Sequence, residues 1–65
     1  MAKAITLLDR QHGVKLFVQR FERYAPDYFV VDLNDLVTSF ETEDEARRYF
    51  AARAALARVR AIAGV

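Results

Sequence analysis

The chain has 65 residues, no cysteine, one histidine and a formal net charge of +1. That length allows one small domain; the missing thiols exclude disulfides and thiolate metal sites, and one histidine does not make a zinc site by itself. With 54% apolar residues the composition argues against disorder, while the near-neutral charge neither demands nor excludes a nucleic-acid partner.

A domain of this size buries only about 60% of the surface its unfolded chain exposes, so its stability is marginal without help. With disulfides and metals set aside, a partner chain is the expected support. No apolar run approaches the roughly 20 residues of a membrane span. Met1-Ala2-Lys3-Ala4 leads into a short apolar run rather than a secretory signal, so a cytoplasmic protein is the expectation.

Residues 4–8, Ala-Ile-Thr-Leu-Leu, are apolar and partly β-branched and predict a first strand. Asp9 to Gly13 read as a turn, with Gly13 supplying the positive φ of a three-residue hairpin loop. Residues 14–24 form a long β-branched and aromatic segment without Gly or Pro, a second strand ended by Ala25-Pro26-Asp27. Residues 28–33 predict a third strand, Asn34-Asp35 a two-residue turn, and residues 36–40 a fourth strand.

Thr42 and Glu45 then have the spacing of a capping box that opens a helix over 43–62. Acidic residues crowd its first turn, and Glu43/Arg47 and Asp44/Arg48 have ion-pair spacing. Gly64 stands just past its expected end. The fold class is therefore α+β: an antiparallel meander of three or four strands with one C-terminal helix packed on one face.

Ala46, Phe50, Ala54, Ala57 and Ala61 recur at helical spacing and predict the buried side of the helix, with Tyr49 beside them. A two-residue turn at Asn34-Asp35 places Phe29 opposite Phe40 and Val31 opposite Thr38. A three-residue loop at 25–27 places Phe21 opposite Val31. On that register the helix covers Phe17, Phe21, Phe29, Val31, Leu33, Leu36 and Phe40, with Ile5 and Leu7 from the first strand. The free face then carries Leu16, Val18, Arg20, Tyr28, Val30, Asp32 and Val37, which are the predicted interface residues. Arg20 and Asp32 are expected there as cross-strand neighbours. A register displaced by one residue is the competing reading, because the second strand has apolar residues on both faces.

The sequence has no glycine-rich phosphate loop, no paired histidines and no base positioned beside Ser39. It predicts neither an enzyme nor a bound cofactor. Residues 39–50, from Ser39-Phe40-Glu41-Thr42 through Glu45-Ala46 to Tyr49-Phe50, resemble the end of AP2-like domains and of the arm-type N-terminal domains of phage integrases. The resemblance implies a helix packed on a sheet, DNA binding through the free sheet face, and a phage or mobile-element setting. Its candidate DNA contacts are Lys15, Arg20 and Arg23, with Arg47 and Arg58 on the helix. Glu22 and Asp32, expected on the same face, would be repelled by phosphates. The leading expectation is thus a non-enzymatic interaction module, a homodimer or a regulatory or inhibitory accessory to a larger complex, with DNA binding as the alternative.

Overall fold

The computed structural model describes the backbone of residues 4–63 and the side chains of residues 4–60. The strands are β1 (Ala4–Gln11), β2 (Val14–Arg20), β3 (Asp27–Val31) and β4 (Val37–Phe40), followed by the helix α1 (Glu43–Ala63). They form one antiparallel sheet in the order β1-β2-β3-β4. The architecture is the α+β meander that the residue pattern predicts, in its four-stranded form. The Gly64 stop signal and the Ala61 side chain lie outside the described residues.

The first hairpin is tighter than a loop spanning Asp9 to Gly13. Gln11 pairs with Val14, leaving His12 and Gly13 as a two-residue turn with φ of 53° and 84°. Two positive φ values define the mirror-image turn whose twist matches that of the flanking strands. Asp9, Arg10 and Gln11 therefore belong to β1. The ladder slips by one between Leu7 and Asp9. This bulge leaves Leu8 as the extra residue, packed against the core.

A Cβ at Gly13 would meet Cδ2 of Leu33. Leu33 is 50% exposed and can swing away, so the backbone decides the outcome. Gly13→Ala should cost about 1 kcal/mol or more by forcing Ala to a positive φ. A urea midpoint equal to that of the wild type would show that the turn rearranges instead.

The third and fourth strands correct the predicted register. Val31 pairs with Val37, so the connection is the five-residue segment 32–36 rather than a two-residue turn at Asn34-Asp35. Asp32 closes it: its backbone N–H donates to Leu36 O at 3.1 Å, and its carbonyl accepts from Asp35 N–H at 3.0 Å. Asp35 takes the positive φ, 61°. The longer link moves Phe40 from Phe29 to Tyr28. A one-residue change of partner exchanges faces along the whole strand. Between β2 and β3 the displacement is even, with Phe17 opposite Phe29 and Lys15 opposite Val31, so it preserves the faces.

The helix consequently covers the face opposite to the predicted one. Val14, Leu16, Val18 and Val30 are fully buried, and Val14, Leu16 and Val30 form one cluster with Ala46, Phe50, Ala54 and Ala57 of the helix. Those four helix residues are the predicted buried side. Phe40 fixes the choice of face: it stands two residues before the helix N-cap, and its ring lies 5.2 Å from that of Tyr49. Whatever shares its side of β4 goes beneath α1. The alanines let the helix approach closely over branched aliphatic side chains, each contributing roughly 1.5–3 kcal/mol by burial. At the helix start the Glu45 N–H donates to Thr42 Oγ1 at 3.3 Å, and the Thr42 hydroxyl donates to Glu45 Oε1 at 3.0 Å. Both members of the capping box are engaged.

Candidate interaction surface

Among the described residues, strand alternation leaves the other face of the sheet without a covering layer. Three rows cross it. The central row is Leu7, Phe17, Phe29 and Ser39; Ile5, Gln19 and Asp27 form the row nearer the N-terminus of β1; Arg10, Lys15, Val31 and Val37 form the row nearer the His12-Gly13 turn. Ile5 and Val37 are 59% exposed and Leu7 is 47% exposed. Phe17, Phe29 and Val31 are half-buried only by one another and their neighbours. Ile5, Phe17, Gln19, Phe29, Val31 and Val37 line a shallow depression of about 300 Å³.

A solvated antiparallel face alternates to polar residues. Here the middle is apolar, and an exposed apolar patch of this kind marks an interaction surface. The charged groups sit at its corners. Arg10 and Lys15 are cross-strand partners at one corner. Asp27 and Glu41, with Ser39, line a depression at the diagonally opposite corner.

Of the predicted interface residues, only Val37 is on this face. Leu16, Val18 and Val30 are core. Tyr28 packs against that core beneath the helix, and Arg20 alternates with Val18 on the helix side of β2, exposed at its end. Asp32 is buried and does not neighbour Arg20. The surface residues that sequence reasoning placed in the core, Phe17, Phe29 and Val31 with Ile5 and Leu7, share one face as expected. The parity of the β3–β4 link is what assigned that face to the helix.

Asp32 has a structural role. Its Oδ1 accepts from the N–H groups of Asn34 at 2.9 Å and Leu36 at 3.3 Å, and its Oδ2 accepts from Arg53 Nη2 at 3.0 Å. The Asn34 N–H, followed by the Leu36 N–H and the Arg53 guanidinium, holds the carboxyl below its ordinary range, against desolvation that pushes it up. Arg53 also lies over the Tyr49 ring, 6.0 Å from its centroid. An arginine beside the buried alanines of the helix is the sequence signal for such a pair, because a partly buried guanidinium requires an acidic partner.

The candidate DNA contacts occupy separate surfaces. Lys15 is on the open face, Arg20 is on the other face at the far end of β2, and Arg23 lies in the link beyond it. Arg47 is held by Glu43 at 2.6 Å on the exposed side of the helix. Arg58 is exposed near the C-terminal end of α1. Among the described residues no three His, Cys, Asp or Glu side chains form a group able to hold a metal ion, and no helix is long and apolar enough to cross a membrane. Comparison with protein-family models, curated proteins and solved structures found no match.

Proposed function

We propose that the protein is a non-enzymatic interaction module and that the open sheet face is its contact surface. The observation that carries this reading is the uncovered row of Leu7, Phe17 and Phe29, flanked by exposed Ile5 and Val37. A small domain gains most from a partner that covers such a patch, because the apolar area removed from water adds to a marginal stability. The module acts as an accessory protein, regulatory or inhibitory, whose activity is the contact itself.

A photo-reactive phenylalanine analogue at position 29, compared with one at exposed Ala52 on the outer side of the helix, tests the reading in living cells. Discrete adducts from position 29 and none from position 52 are the expected result. Adducts from position 52 alone would move the contact surface to the helix and overturn it.

A further inference from the structure

We infer that the occupant of the open face is a second copy of this chain, stacked sheet on sheet about a two-fold axis that runs along a diagonal of the face. This inference rests on the interaction-module reading and adds the partner and its orientation.

Two observations carry it. The first is charge placement. The basic corner, Arg10 and Lys15, lies on β1 and β2 at the His12-Gly13 end, and the acidic corner, Asp27 and Glu41, lies at β3 and β4 at the other end. A two-fold axis along the other diagonal carries each corner onto its opposite. Arg10 and Lys15 then meet Asp27 and Glu41 of the partner subunit, twice per dimer, as an isologous interface requires. The apolar centre meets its own copy.

The second is shape. Three rows two residues apart span about 14 Å along the strands, and four strands about 4.8 Å apart span about 14 Å across them. A face that is square in this sense superposes on itself after the quarter turn that a diagonal two-fold produces. Strands of the two sheets then cross near 90°, one of the two stable ways for sheets to pack. Alignment of the strands would leave the charged corners offset across the sheet. The footprint is small beside that of standard interfaces, so the dimer is weak and concentration-dependent.

Sedimentation equilibrium of three proteins tests this: the wild type, Arg10→Glu/Lys15→Glu and Asp27→Lys/Glu41→Lys. The substituted side chains lie on the open face or beside it, and circular dichroism verifies that each variant folds. The wild type should dimerise. Each variant alone should dissociate on the order of tenfold more readily, because attraction at both corners becomes repulsion. An equimolar mixture of the two variants should regain the wild-type affinity, since every corner pair is again of opposite sign. Dimers indifferent to both charge reversals would overturn the diagonal packing. A wild-type monomer at all concentrations would overturn self-pairing; adducts of foreign mass from position 29 would then leave the interaction-module reading standing, and no adducts there would remove both.

Discussion

Val30→Asp should leave the chain unfolded at neutral pH, whereas Phe29→Asp, one residue away, should leave it folded. Val30 is fully enclosed, opposite Leu16 on β2 and within the cluster that includes Phe50 and Ala54. The Arg53 guanidinium is already bonded to Asp32, two residues along the chain, so a carboxylate at position 30 must share that cation, stay buried without a partner of its own or displace the helix, at a cost of several kcal/mol. A 65-residue chain is stable by only about 3–10 kcal/mol at the usual 0.05–0.15 kcal/mol per residue. The substitution therefore consumes all or most of the stability. Val30→Ala, which removes about two methylene equivalents, should cost about 2 kcal/mol and stay folded.

Phe29 points the other way. Its replacement loses β-propensity of up to about 1 kcal/mol and exposes a carboxylate to water, so the far-ultraviolet circular dichroism of Phe29→Asp should match the wild type, and the self-association we propose should be lost. Urea titrations of both variants decide the face assignment directly. A folded Val30→Asp beside an unfolded Phe29→Asp would put the helix on the other side of the sheet.

That assignment is also where sequence reasoning reached its limit. The strands, the capping box and the buried stripe of the helix were legible because each is set by local chemistry: β-branched runs, Thr42 with Glu45, and alanines spaced around Phe50. The hairpin turn was half legible. Gly13 announced a positive φ, but His12 at 53° did not, since His is a less usual occupant of that position than Asn or Asp. The faces depended on one number, the length of the β3–β4 link. Asn34-Asp35 has the composition of a two-residue turn, yet Asp32 draws five residues into the link by accepting the N–H groups of Asn34 and Leu36. This competition for backbone donors is local, an Asx-type turn that starts at Asp32, and the turn propensity of the Asn34-Asp35 pair alone does not contain it. Once that link changed parity, Leu16, Val18 and Val30 moved from surface to core. The existence of an open face with an apolar centre survived because β2 and β3 carry apolar residues on both faces; only the identity of its residues changed.

The second large effect belongs to Asp32, and pH should reveal it. Three hydrogen bonds end on this buried carboxylate, two from the link and one from Arg53 across a separation of 21 residues. Asp32→Ala removes all three and strands a partly buried guanidinium, so at neutral pH it should lower the urea midpoint more than any other polar substitution among the described residues. Asp32→Asn keeps an oxygen for the two backbone donors but not the charge opposite Arg53, and should fall between Ala and the wild type. The folded carboxyl titrates below its ordinary value of 3.8, so the folded state binds this proton more weakly than the unfolded state. Its stabilisation is therefore complete above the unfolded value and is lost as pH falls through the folded one. The wild type should lose stability as pH falls below about 4, and Asp32→Asn should lack that component. Superimposable acid profiles for wild type and Asp32→Asn would mean that this carboxyl titrates normally, and that the link is held by its backbone bonds alone.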